Sequence, residues 1–586
     1  MSLWMKTKRS RQIVLSLVSV LLSVAALLAS VPSSTHTAHA APLVALAASD
    51  ATVTTAAAAD TSRPLRDLAQ LPSSNLLLGI PGENEDDGVI PTDTGFTGDG
   101  AVQTAPGPQT SPGISGPSLT FEGLSNQDNA NLFGFQVSPP DPNGAVGRKF
   151  FVEMVNLTFA VYSKTGTRLL GPVPLGNLWS GFAINDCTDL SGDPVVLYDK
   201  FADRWILTQF TTRGPIFYNC VAVSQTSDPT GAYFRYAFST GVNFPDYPKY
   251  GIWSNAYFLA TREFAPDNSF AGIGAYGLER DKMLEGDPTA RAVKFLLPPG
   301  NTPFLTGDGL LPGDIDGFRL PPEDSSELFV GTMNKGAQYN APFDALNVFQ
   351  FSLKWGKNPK ASFGLATQLP VAPFDSIFPC GAPGSRTCIP QPGTTNKIDV
   401  LSYRQRPTFR LAYRNFGDFE TWVTNQSVQA SPGVAGVRWY EIRRNNDGND
   451  DRDGSRIFLF QQGTYAPNDG VNRWMGSVAM DRKGDIALGY SVSNGTNVFP
   501  GIRVTGRLRR DPRGQMTLGE AVLINGSGSQ TVSNRWGDYT DMTVDPTDDC
   551  TFWYVNQYYQ VTSARGWQTR IGSFSLPGCK GDGGDD

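Results

Sequence analysis

Aspartate recurs at one kind of place along this chain. Asp141 precedes Pro142-Asn143-Gly144, Asp193 precedes Pro194-Val195-Val196, and Asp246 precedes Tyr247-Pro248. Asp314 opens Asp314-Ile315-Asp316-Gly317, and Asp538 stands in Trp536-Gly537-Asp538-Tyr539. Each marks the point where a turn gives way to a short apolar stretch. Gathered together, such carboxylates repel, so that some hold a proton near neutral pH or recruit a cation. Kept apart, each is an ordinary turn residue. Tyr247, Tyr413 and Tyr539 occupy neighbouring positions, and a tyrosine beside arginine can act as base or nucleophile where histidine is missing. The chain has only two histidines, His36 and His39, both in an N-terminal leader. Ser-His-Asp, Cys-His and HExxH chemistry is therefore excluded from the body of the protein. The candidate catalytic set is Asp193, Asp246, Asp538 and Tyr539.

A second motif occurs twice, as Asn472-Arg473-Trp474 and Asn534-Arg535-Trp536. Tryptophan offers a flat apolar face, and arginine a fork for carboxylate or sulfate. Arg473, Trp474, Arg535 and Trp536 are thus candidate sugar-binding residues, with core tryptophans and inter-sheet ion pairs as the alternative. Asn449, Asp451 and Asp453, followed by Gly454, have the spacing of the first ligands of a calcium loop. Position 12 is Phe460 rather than Glu, so the loop is no EF-hand, and a solvated acidic hairpin tip is the alternative. Calcium is the cofactor expected, if any. No nucleotide, haem or zinc is expected, because P-loop, Rossmann and CxxC patterns are missing. Asn156, Asn425, Asn494 and Asn525 head glycosylation sequons.

The elements that must position these residues are strands. Charged residues make up only 18%, while Gly and Pro number 62 and 43. That balance disfavours long surface helices and favours short strands joined by tight turns. From about residue 118 a unit repeats: turn, short strand, tight turn, then a strand rich in aromatic and β-branched residues. Examples are Asp193–Asp199 into Arg204–Phe210, and Trp474–Asp481 into Ile486–Tyr490. A third strand usually follows, as at Asn219–Ser224, Leu346–Phe351 and Thr569–Phe574. Seven such units predict an all-β fold, a seven-bladed β-propeller of antiparallel sheets, with separate β-sandwiches as the alternative. In a propeller the recurring aspartates converge on the upper mouth of the central channel. A strand near Leu119–Phe121 is expected to complete the last blade beside Ile571–Phe574. Strand positions put Cys187 and Cys220 at one rim and Cys550 and Cys579 at the other, which predicts two disulfides; Cys380 and Cys388 would close a local loop.

Residues 1–40 read as a cleaved secretory signal, with Lys6, Lys8, Arg9 and Arg11 before the apolar run Ile13–Leu28 and small residues near Ala40. Residues 41–117, poor in aromatics, read as a low-complexity disordered spacer. The propeller is expected over 118–579 and a flexible tail over 580–586. The net charge of −7 becomes more negative once the basic leader is removed, which argues against nucleic acid or anionic membrane partners.

The stretches Leu411–Asp418, Arg438–Arg443, Ala487–Ser491, Arg535–Tyr539 and Asp548–Tyr554 resemble those of a group of large secreted bacterial β-propeller proteins, mostly uncharacterised and termed sialidase-like. The resemblance spans roughly residues 130–579 and implies a secreted propeller, but brings no reaction. The Asp boxes of sialidase blades are missing. The functional expectation is a secreted, extracellular and monomeric protein. It would bind, and as a glycoside hydrolase or polysaccharide lyase cleave, a polysaccharide or glycoconjugate at an acidic Arg/Trp-containing face. The alternative is a non-enzymatic cell-surface or matrix scaffold.

Overall fold

The computed structural model describes residues 50–72, 98–105, 113–114, 116–190, 192–300, 302–336, 339–376, 387–400, 406–445 and 457–579. These residues are mostly strand, with a few short helices. Antiparallel up-and-down runs of strands cover 143–174, 196–241, 244–297, 311–370, 408–465, 472–526 and 541–575. Their first strands are Asn143–Val146, Val196–Asp199, Phe244–Ile252, Leu311–Ile315, Thr408–Asn415, Asn472–Met480 and Asp541–Val544. Each first strand touches the next, and the last touches the first, so they line a closed circuit. At one step the contact is a true ladder: Gly313–Ile315 pairs in parallel with Leu411–Tyr413.

These inner strands are buried on both faces, which explains their small and apolar residues. Glycine is needed where they crowd: a Cβ at Gly251 would strike the Gly313 carbonyl oxygen. Farther out the strands become aromatic and β-branched. There apolar side chains of adjacent sheets interdigitate, as in the cluster of Phe258, Phe329, Phe351 and Phe363. Turns are tightened by aspartates in left-handed backbone, such as Asp203 at φ 57°.

The strand Leu119–Ser125 lies antiparallel on Gln568–Ser575, pairing Phe121 with Ile571, so the last sheet takes its outer strand from the front of the chain. Cys187 is bonded to Cys220 and Cys550 to Cys579, with Cα–Cα distances of 6.1 and 5.6 Å. Cys380 lies outside the described residues; Cys388 is disulfide-bonded.

One expectation needs correction. The spacer expected to be disordered over 41–117 contains Thr52–Thr55, which pairs with Arg291–Leu297, and Ala58–Thr61, which pairs with Tyr233–Gly241. Val102–Gln103 extends another sheet beside Ile457–Tyr465. These short Thr/Ala strands carry little apolar area of their own. They gain order by completing the ladders of sheet edges that would otherwise be open. Buried Leu65 and Leu68, and the Asp60–Arg235 ion pair at 2.6 Å, fasten Ala58–Thr61. Among the described residues no helix is long and apolar enough to cross a membrane.

Candidate functional site

The inner strands run side by side, so the turns that precede them gather at one end of the circuit, termed the upper end. Four of the five recurring aspartates meet there. Asp193 lies in the fields of Asp246 and Asp538, and Asp141 in those of Asp538 and Asp193. The local backbone is unusual. Asp141, Asp193 and Tyr247 have φ of 45°, 54° and 55°, a region costly for a bulky residue such as tyrosine. Asp246 sits at a bulge in Phe244–Ile252, where the register with the next strand shifts between Asp246 and Lys249. Beside the bulge the Tyr247 ring meets that of Tyr539, 5.5 Å between centroids.

Asn156 ties two of the acids together. Its Nδ2 donates to Asp141 Oδ2 at 2.6 Å, and its Oδ1 accepts from the Asp193 amide at 3.0 Å. As a buried positioning residue it is no glycan acceptor, which corrects its reading as a sequon. Tyr539 donates its hydroxyl proton to Asp193 Oδ2 at 2.7 Å. Lys249, only 1% exposed, lies between two rings, its Nζ 3.8 Å from the Tyr247 centroid and 2.9 Å from that of Tyr539. This is a cation–π sandwich. Arg406 lies against the same group, its guanidinium 3.9 Å from the Tyr247 ring and 3.9 Å from Asp538. Arg262 stands 3.7 Å from Asp246.

Burial sets the protonation of this group. It pushes Asp193 up to about 7, helped by the charge of Asp246. It also drives Asp141 well above the usual carboxylate range, helped by Asp538 and Asp193. Burial lowers Lys249 to about 7 against the pull of Asp538 and Asp193, and it raises both tyrosines. An acid and an amine, both poised near neutrality, therefore share Tyr539 as a neighbour in a site without histidine.

The structure corrects several sequence expectations. Asp314 lies near the C-terminal end of Leu311–Ile315, at the opposite, lower end. There Arg410 donates to Asp314 Oδ2 at 2.9 Å, to Asp316 Oδ2 at 3.0 Å and to the Met542 carbonyl at 3.1 Å. Arg414 grips Asp549 through two bonds of 2.7 Å, and Lys200 donates to the Ile315 carbonyl at 2.7 Å. Tyr413 is core, bonded to Glu420 and packed on Trp253 and Trp422.

The proposed sugar-binding tryptophans are also core. Trp474 and Trp536 are 0% and 1% exposed and pack on each other at 5.4 Å between centroids. A ring wholly covered by protein has no face left for a sugar. Arg473 is saturated by Asp469, Glu520 and the Val471 carbonyl, so it too is structural. Arg535 is the exception. It lies on the segment that delivers Asp538, 3.7 Å from Asp399, and burial lowers it to about 10. Asn449, Asp451 and Asp453 lie outside the described residues. Lys249, Arg406 and Asn156 were missed. The sequence did hint at Lys249, in the alternation Asp246-Tyr247-Pro248-Lys249.

No family model and no curated protein matches the chain. Among solved structures it is similar to a phage phi92 endosialidase, with TM-score 0.30, 6% identity, and coverage of 84% of this chain and 71% of that one. A mutant sialidase of Trypanosoma rangeli aligns with TM-score 0.30, 9% identity, and coverage of 74% and 58%. A GH43 endo-arabinanase of Bacillus licheniformis aligns with TM-score 0.24, 10% identity, and coverage of 53% and 95%.

Proposed function

We propose that the closed circuit of sheets is a seven-bladed β-propeller, exported and hardened by its disulfides, that binds and cleaves extracellular polysaccharide at its upper end. The observation that carries this reading is the bonded pair Tyr539–Asp193. Its carboxyl is held near pH 7 amid further carboxylates and beside a depressed lysine. Glycoside cleavage needs a proton donor for the leaving oxygen and a second, anionic carboxylate across the bond. Asp193 fits the donor. Asp538, held near Arg406, fits the anionic partner, and Asp246 is the most open of the ring, its side chain 21% exposed. Export is supported by the basic-then-apolar leader and by the two cystines.

A second reading, a non-enzymatic cell-surface or matrix protein, is favoured by one observation: Tyr247, Tyr539 and Lys249 are 7%, 1% and 1% exposed, which leaves little of the group open to a substrate. One experiment separates the two. Release of reducing or unsaturated ends is assayed over a polysaccharide panel with the wild type, Asp193→Asn and Asp538→Asn. Turnover that survives both substitutions removes the catalytic reading; binding without any turnover supports the second.

A further inference from the structure

A cleft of about 400 Å³ lies outside the axial group, lined by Thr395, Asn396, Lys397, Val532, Ser533 and Asn534 among others. We infer that it is a subsite for an anionic sugar unit, a uronate or a sulfate ester. The inference rests on the proposed polysaccharide-binding function and names its substrate class.

The cleft is built rather than incidental. Its two walls are stapled together: Asn396 Nδ2 donates to the Gln530 and Ser533 carbonyls at 2.9 and 2.8 Å. Gln391 donates to the Gln530 carbonyl at 2.9 Å and accepts from the Gln530 amide at 2.8 Å. The Asp399 amide donates to the Asn534 carbonyl at 2.8 Å. Between these fixed walls, the side chains of Thr395, Lys397 and Asn534 have no partner among the described residues and remain available to a ligand.

The chemistry of the lining is selective. It offers hydroxyls, amides and one ammonium, and no carboxylate, in a chain whose net charge is −7. Val532, 64% exposed at the lip, supplies an apolar surface for the C–H face of a pyranose. Donors with no carboxylate in the lining itself favour an anionic group over a cationic one.

The wall of the cleft is also linked to the axial group. Asp538 lies four positions after Asn534, at most about 14 Å of extended chain. The Ser533 hydroxyl meets that of Ser138 at 2.9 Å, three residues before Asp141, and a Cβ at Gly537 would press on Pro142 and Asp141. An oligosaccharide anchored at Lys397 therefore extends toward the Asp141–Asp538 side of the mouth.

The test is calorimetric titration of the full chain with three probes: an oligogalacturonate, a sulfated galactan oligosaccharide and a neutral xylo-oligosaccharide, at low and at 0.5 M salt. Wild type is expected to bind one or both anionic probes in a salt-sensitive manner, and the stronger one identifies the anion as carboxylate or sulfate. Lys397→Glu is expected to weaken that binding at least tenfold, Lys397→Arg to keep it, and neither to change binding of the neutral probe. Lys397 is exposed, and an unchanged melting temperature confirms that the variants fold. Equal anionic binding by wild type and Lys397→Glu overturns the subsite. If the neutral glycan is then still bound and cleaved, the proposed function stands without it. If no probe binds, both readings fall. Lys397-dependent binding without any cleavage supports the subsite and removes only the catalytic claim.

Discussion

The two ends of the central axis use the same residue types to opposite purposes. At the lower end every arginine is matched. Arg410 staples three inner strands through Asp314, Asp316 and the Met542 carbonyl, and Arg414 is paired twice with Asp549. Burial opposes ionisation of Asp316, but Arg410 and Lys200 outweigh it and hold its carboxyl below the ordinary value. At the upper end the pairing is incomplete. Asp141 Oδ1 and Lys249 Nζ are buried without a hydrogen-bond partner among the described residues, and both groups are shifted toward neutrality. Between the two ends Asp541 has neither carboxylate oxygen bonded, and burial raises it well above its usual range. Satisfied charge is what a structural joint needs. Charge left unsatisfied, beside backbone held at positive φ, costs stability.

The largest effect that would sharpen this contrast is on turnover. Asp193→Asn keeps an acceptor for Tyr539 but loses the proton, so kcat on a cleaved glycan is expected to fall about 10²–10⁴-fold with the melting temperature little changed. An equal fall in stability instead would make the upper end another joint. Next comes the lower end. Arg410→Ala leaves Asp314 buried without its charge partner and Asp316 with Lys200 alone, at a cost of about 3–5 kcal/mol in urea unfolding. A loss under about 1 kcal/mol would show that the staple carries little.

The pH dependence of stability separates the ends further. Asp193 ionises near 7 in the folded chain and near 3.8 when unfolded, so between those values the folded state holds a proton that the unfolded state has released. Its contribution is complete at low pH and is lost as pH rises toward 7. Lys249 has the reverse sign: it stays protonated to about 10.5 when unfolded and to about 7 when folded, so stability recovers above 7. Thermal melts from pH 4 to 10 are expected to show a shallow minimum near neutrality, on the order of 1–3 kcal/mol deep. The falling limb should become shallower in Asp193→Asn without vanishing, because Asp141, Glu153 and Asp541 are raised too, and a flat wild-type profile would refute the shifts. The smallest effect is electrostatic tuning. The Lys249 charge helps hold Asp193 down, so Lys249→Met should move the alkaline limb of the pH–rate profile, where the Asp193 proton is lost, up by about one unit.

Much of this arrangement was legible in the sequence. The β-strand units, the convergence of Asp141, Asp193, Asp246 and Asp538, and both cystine pairings follow from repeated turn chemistry read onto strand positions. Asp314 was misplaced because its turn-like neighbour Gly317 follows the inner strand rather than preceding it. A shift of a few residues moves a side chain to the other end of the axis. The tryptophans were misjudged because a flat ring looks the same in a sequence whether it faces a sugar or, as with Trp474 and Trp536, another ring. The strands at 52–61 escaped notice because their order comes from completing other strands' ladders, and Thr/Ala composition carries no trace of that.

The clasp between Leu119–Ser125 and Gln568–Ser575 has a consequence for how the molecule comes into being. A chain emerging from its point of synthesis or export can stack its early sheets in order, but it cannot latch until almost its full length is free. Joining segments so distant in sequence makes this final step slow. Truncation just before residue 568 would leave an arc with raw edges at both ends, prone to stick to its copies.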